Sequence, residues 1–289
     1  MTAERTPRIL AERAAKSLSR DVGRLTSRWR MTPSLLIVGA QRCGTTSMYK
    51  DLTQHPAILP AVMQKGVHYF DVQYDNSRSW YQAHFPLRRT AAKVEKLIGV
   101  APITGESSPY YLYHPLSAGR IAADLPQARL LVLVRDPVER AYSAHTHETA
   151  RKYETESFER AIELEADRIA GEEEKLIADP NYESFEHQHH SYVARGRYAE
   201  QLERLAAAVG REKIHVVDSG RFFAEPETVY DGIIDFFGLP AWRRPEFKQH
   251  NARPRTDMAP SLRAKLEEYF EPWDEKLTDW LGRPPSWRS

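Results

Sequence analysis

The residues with the clearest chemical meaning lie between Leu35 and Leu52, in the run LLIVGAQRCGTTSMYKDL. Gly39 and Gly44 bracket a short loop carrying Arg42 and Cys43, and Thr45, Thr46 and Ser47 follow at once. Glycines let backbone N–H groups turn inward, hydroxyls add donors, and a cation inside a loop needs an anionic partner. That combination binds a phosphate-like anion. The spacing is that of the Gly-x-x-x-x-Gly phosphate loop, but Thr45 stands where nucleotide triphosphatases carry lysine. A second cation, Arg135, precedes Asp136-Pro137-Val138-Glu139, with Arg140 and Ser143 further on. A third group, Lys65, Gly66, His68 and Asp71, offers a cation and an imidazole able to accept a proton near pH 7. Glu106, in Gly105-Glu106-Ser107-Ser108-Pro109, is a further group for acid–base work or for positioning a cation.

Such groups work only when rigid elements hold them. Leu35–Val38 is a short apolar run suited to a strand buried on both faces, and a helical pattern starts at Thr45. A helix N-terminus behind a glycine loop adds the partial positive charge of its dipole. Leu130–Val134 is the most hydrophobic run of the chain and reads as a central parallel strand. Asp136 then caps a helix with Pro137 at its first position and Glu139 at its third. Arg135 therefore falls at the carboxyl end of a strand, where open α/β sheets bind ligands, and Arg140 shares a helix face with Ser143. Val67, Tyr69 and Phe70 suggest another strand; Lys65 and His68 would reach one cleft only if it bends.

Lys213–Asp218 reads as a core strand, and residues 198–209, 227–237 and 260–281 as helices. The last turns Leu262, Leu266, Tyr269 and Phe270 inward. Residues 151–180 read as a helical insertion that buries Phe158, Ile162, Leu164 and Ile169. Trp80 and Tyr81 fit packing better than an acceptor wall. The expected fold is a single P-loop-like α/β domain over residues 34–289. It has three layers, a central, mostly parallel sheet flanked by helices, and an N-terminal helical arm over residues 1–33.

With 41% hydrophobic and 28% charged residues the chain is an ordinary globule, and a formal net charge of +1 gives no reason to expect nucleic acid. Cys43 is the single cysteine, which excludes an intrachain disulfide and fits a reducing, cytoplasmic setting. No apolar run approaches the ~20 residues of a membrane span. Residues 1–33 hold eight Arg/Lys and three acids, with Leu18, Val22, Leu25 and Trp29 on one helical stripe. That arm either packs on a protein surface or makes peripheral contact with a membrane. His145 and His147 do not make a metal site, since helical residues two apart share no face, and no cysteine or paired carboxylate spacing accompanies His187, His189 and His190.

The loop at Gly39–Ser47, the Lys65–Asp71 segment and the Arg135–Ser143 segment, in this order, resemble the three signature motifs of sulfotransferases that use 3′-phosphoadenosine 5′-phosphosulfate (PAPS). The similarity is to bacterial-type members related to the heparan-type enzymes. It implies that Arg42, Cys43, Gly44, Thr45, Thr46 and Ser47 cradle the 5′-phosphosulfate, and that Arg135 and Ser143 hold the 3′-phosphate. Lys65 would contact the sulfo group, and Arg253 or Arg255 would lie in a basic loop closing over the nucleotide. The family's usual glutamate base is replaced by Gly66, a common lysine by Ser107, and the frequent loop lysine by Arg42. His68 is then the first choice of general base and Glu106 the second. The implied reaction is in-line sulfo transfer to a hydroxyl or amine of a small molecule, glycan or glycolipid, leaving 3′-phosphoadenosine 5′-phosphate (PAP) and requiring no metal. A P-loop kinase or NTPase, and a non-catalytic nucleotide-binding scaffold, are the alternatives.

Overall fold

The computed structural model describes residues 23–247 and 258–288. Five strands form one sheet in the order β2-β3-β1-β4-β5. They are β1 Leu35–Gly39, β2 Ile58–Pro60, β3 Ile103–Ser107, β4 Arg129–Val134 and β5 Ile214–Asp218. Every pairing is parallel. All of β1, and all of β4 beyond Arg129, is buried, as the unbroken apolar runs demand of strands covered by helices on both faces. One core joins residues from β1 through the final helix. β1 lies between β3 and β4, so the winding of the sheet reverses there. The crevice outside the carboxyl ends of β1 and β4 is the ligand edge of such a sheet.

Two helices start at that edge. Thr45–Leu52 follows β1 and buries Met48, Tyr49 and Leu52. Pro137–Ala150 follows β4, and Asp136 caps it by accepting from the N–H groups of Val138 and Glu139. The Glu139 side chain pairs with Arg135 and Arg263. Gly39 is required where the chain leaves β1, because a Cβ there would lie 2.6 Å from the Leu112 side chain.

Three expectations are corrected. Residues 67–70 form no strand. Side chains from one neighbouring segment capture their backbone donors instead. Val67 N–H donates to Glu106, His68 N–H to Ser108 Oγ and Tyr69 N–H to the Tyr111 hydroxyl, at 2.8, 2.9 and 2.8 Å. In the insertion, the helix Phe158–Ile169 buries Phe158, Ala161 and Glu165, while Ile162, Leu164 and Ile169 are half-buried. Glu165 is tolerated inside because it accepts from the N–H groups of Val193 and Ala194 at 2.6 and 2.8 Å. In the helix Pro260–Leu281, Leu266, Phe270, Asp274 and Leu277 are buried, whereas Tyr269 is 43% exposed.

Trp80 and Tyr81 pack in the core, Tyr81 stacked on Tyr69 with ring centroids 4.5 Å apart. Of the arm, residues 23–31 are fastened to the domain: Arg30 donates to Phe85 O at 2.6 Å and Met31 N–H to Pro86 O at 2.8 Å. Leu18 and Val22 of its stripe, and Arg253 and Arg255, lie outside the described residues. No described helix is long and apolar enough to cross a membrane.

Candidate active site

The loop after β1 is held open by backbone geometry. Arg42 and Gly44 adopt φ of 71° and 88°, the left-handed conformation that turns successive N–H groups toward one concavity. The first ladder bond of the following helix runs from Met48 N–H to Gly44 O, so the donors of its first turn face the loop. Cys43 is not part of the concavity's surface. It is 1% exposed, its thiol lies 3.6 Å from the Tyr198 hydroxyl, and its carbonyl accepts from Ser219 Oγ at 2.6 Å. Gln41 is gripped from below by Arg195, a buried cation whose guanidinium also lies 4.8 Å from the rings of Tyr110 and Tyr113.

The second motif meets this loop. Arg42 Nε donates to Ser143 Oγ at 3.1 Å, across 101 residues of sequence. Arg135 is half-buried beside them, its carbonyl held by the Tyr198 hydroxyl at 2.9 Å. Arg140 is fully buried, donates to Tyr192 O, and leaves Nε and Nη1 without a hydrogen-bond partner. Burial raises the Cys43 thiol pKa, opposed by the Tyr198 hydrogen bond and by Arg140, Arg135 and Arg42. Arg42 and Ser143 are thus in direct contact, and two buried nitrogens of Arg140 have no hydrogen-bond partner. That arrangement fits a multiply charged anion.

The third motif forms the other end of the crevice. Lys65 Nζ donates to Thr46 Oγ1 at 2.9 Å, which brings its ammonium to the loop. Burial and the nearby Lys50, only partly offset by Glu106, lower its pKa to about 8. His68 has φ of 57°, so the chain turns sharply at this residue, and the imidazole Nδ1 lies 2.8 Å from Asp71 Oδ2. The His68 side chain is 40% exposed, while that of Asp71 is wholly buried. Burial disfavours the imidazolium, but the hydrogen bond and charge of Asp71 outweigh it and raise the His68 pKa. A Cβ at Gly66 would sit 3.5 Å from His68 Nε2 and 2.8 Å from Ser107 O.

Glu106 does not face the crevice. It is 0% exposed and accepts from Val67 N–H, Ser108 Oγ and the hydroxyls of Tyr81 and Tyr111. With both oxygens engaged, it pins the loop that carries Lys65 and His68. Phe223 was not singled out by sequence reasoning. It is 47% exposed on the helix after β5, and its ring lies 3.9 Å from a Cβ placed at Gly44. Nothing local marks it, since its meaning comes from a loop far away in the chain. The histidines disperse to separate partners: His187 to Tyr110, His189 to Glu148, and His190 to Glu186. Among the described residues, no group of His, Cys, Asp and Glu is placed to hold a metal ion.

The chain matches the family model described as the sulfotransferase domain over residues 32–277. It is 26% identical to the membrane-associated sulfotransferase kil1 of Dictyostelium discoideum, over 89% of this chain and 67% of that protein. It is 25% identical to the human heparan sulfate glucosamine 3-O-sulfotransferase 5, over 96% of this chain and 81% of that one. A sulfotransferase structure from Alicyclobacillus acidocaldarius superposes with a TM-score of 0.65 at 28% identity, covering 89% of this chain and 99% of that one. With its parallel sheet and phosphate loop, the chain belongs to the sulfotransferase family.

Proposed function

We propose that the protein transfers the sulfo group of PAPS to a hydroxyl or amine, with the nucleotide in the crevice at β1 and β4. The observation that carries this reading is the contact of Arg42 with Ser143, which joins the loop after β1 to the helix after β4. Arg135 and Ser143 hold the 3′-phosphate. The loop N–H groups, Thr45, Thr46 and Ser47 hold the 5′-phosphate, and Arg42 offsets charge on the bridging oxygen. Phe223 offers an apolar platform for the base.

PAPS, when bound, supplies the activated sulfo group. The protein's part is position and charge, as in phosphoryl transfer. Lys65 holds the sulfo oxygens. His68 takes the acceptor proton at Nε2, while Asp71 holds Nδ1–H and fixes the tautomer. Glu106 is a positioning residue. The acceptor is a small molecule, a glycan or a glycolipid. The test is incubation with sulfur-labelled PAPS and a cell extract, followed by mass spectrometry for SO₃ gain. Label remaining wholly in PAPS and inorganic sulfate would contradict the reading.

Two further results are expected. First, kcat/KM should follow a narrow bell in pH. His68 must be neutral, so activity rises as pH passes its pKa, which lies above 6.5. Lys65 must be charged, so activity falls as pH passes about 8. A flat profile between pH 6 and 9, measured with saturating acceptor, would remove both assignments. Second, Gly66→Glu should not restore a better base. Its Cβ would press on Ser107 O at 2.8 Å and crowd His68. A loop shift costing ~1.4 kcal/mol in the transition state lowers kcat about tenfold. An increase in kcat would show that the glutamate is accommodated.

A further inference from the structure

We infer that the face made by residues 23–31 and 78–98 docks on an anionic lipid bilayer. The inference rests on charge and exposed apolar surface and is independent of the reaction. These two short segments hold eight of the chain's 41 Lys/Arg and only one, Glu95, of its 40 Asp/Glu. Eight cations against one acid give these segments a net charge of +7 in a chain whose total is +1. The segments are joined: Gly23 lies against Ala83, Arg30 bridges Leu87, and Arg88 Nε donates to Arg30 O at 3.1 Å.

The same region carries apolar side chains that a free surface would bury. Leu97 and Leu25, 83% and 79% exposed, are the most exposed large hydrophobics among the described residues, and Trp29 is 50% exposed. The Arg28 guanidinium lies 4.0 Å over the Trp29 ring, a pair suited to the headgroup level of a bilayer. The helix Arg88–Ile98 has no fully buried residue, although half-buried Ala91, Val94 and Ile98 mark its inward side. Its basic side is therefore free for a partner. Val62, 56% exposed, adjoins the face through its N–H bond to His84 O at 2.8 Å. It lies three residues before Lys65.

Basic residues near an anionic surface and inserted apolar side chains reinforce one another, so both kinds of variant should matter. The probe is co-sedimentation of the full chain with phosphatidylcholine vesicles, with and without phosphatidylglycerol. Binding is expected only to the anionic vesicles and should fall as salt rises. Arg24→Glu/Arg88→Glu/Arg89→Glu and, separately, Leu25→Ser/Trp29→Ser should each weaken it by about tenfold or more. Far-ultraviolet circular dichroism and thermal melting verify the folding of each variant and keep this result separate from the proposed reaction. Three outcomes would overturn the inference: no binding to anionic vesicles, equal binding to neutral ones, or retention by both variants. Loss of a dimer in the variants by sedimentation velocity, without vesicle binding, would assign the face to self-association and likewise overturn it.

Discussion

His68→Ala is expected to lower kcat by ~10²–10⁴ while leaving PAP affinity within about twofold, the range for loss of general-base assistance. The reason lies in the loop around it. Gly66 has no side chain to take a proton, and Glu106 is buried with four donors on it. His68 is a proton acceptor of this loop that keeps solvent access, its side chain 40% exposed, and the buried Asp71 orients it at 2.8 Å. Asp71→Asn should cost less and move the acid limb of the pH profile downward, because the carboxylate that raises the His68 pKa is gone. An Asp71 role limited to holding the loop would lower kcat without moving that limb. Full turnover by His68→Ala with its acceptor would remove the imidazole from the reaction.

Arg135→Ala is expected to weaken PAP binding by more than tenfold and to leave 5′-AMP binding nearly unchanged. Arg135 directly follows the buried strand β4, and Ser143 stands on the helix that Asp136 caps, so both backbones are rigidly mounted before binding. A charge-assisted hydrogen bond to phosphate contributes roughly 1.5–3 kcal/mol, and ~1.4 kcal/mol corresponds to tenfold. The effect is selective because 5′-AMP has no 3′-phosphate to lose. Equal weakening of both nucleotides would show that Arg135 supports the loop generally rather than that phosphate.

The parts legible in the sequence were those whose signals are local. The apolar runs of β1 and β4 and the Asp136-Pro137 cap each specify a shape within a few residues, and the structure has all of them. The Lys65–Asp71 loop looks like a strand in sequence because Val67 and Tyr69 alternate with polar residues. Its donors are captured instead by side chains 39 to 42 residues away. Glu165 and Arg195 were invisible for the same reason. A charged residue is buried only where polar groups satisfy it: Glu165 takes backbone N–H groups 28 and 29 residues off, and Arg195 the Gln41 side chain 154 residues off. Phe223 matters by its nearness to Gly44, which no spacing encodes.

Sulfo transfer from PAPS requires the crevice at β1 and β4 to take a nucleotide with a phosphate at both its 3′ and 5′ ends. Calorimetry of the unaltered chain against PAP, 5′-AMP, ADP and ATP, each with and without Mg²⁺, measures this directly. PAP should bind best, at least about tenfold above 5′-AMP as one such phosphate contact requires, and should do so without Mg²⁺. Tightest binding by ATP with Mg²⁺, or equal binding of PAP and 5′-AMP, would contradict it.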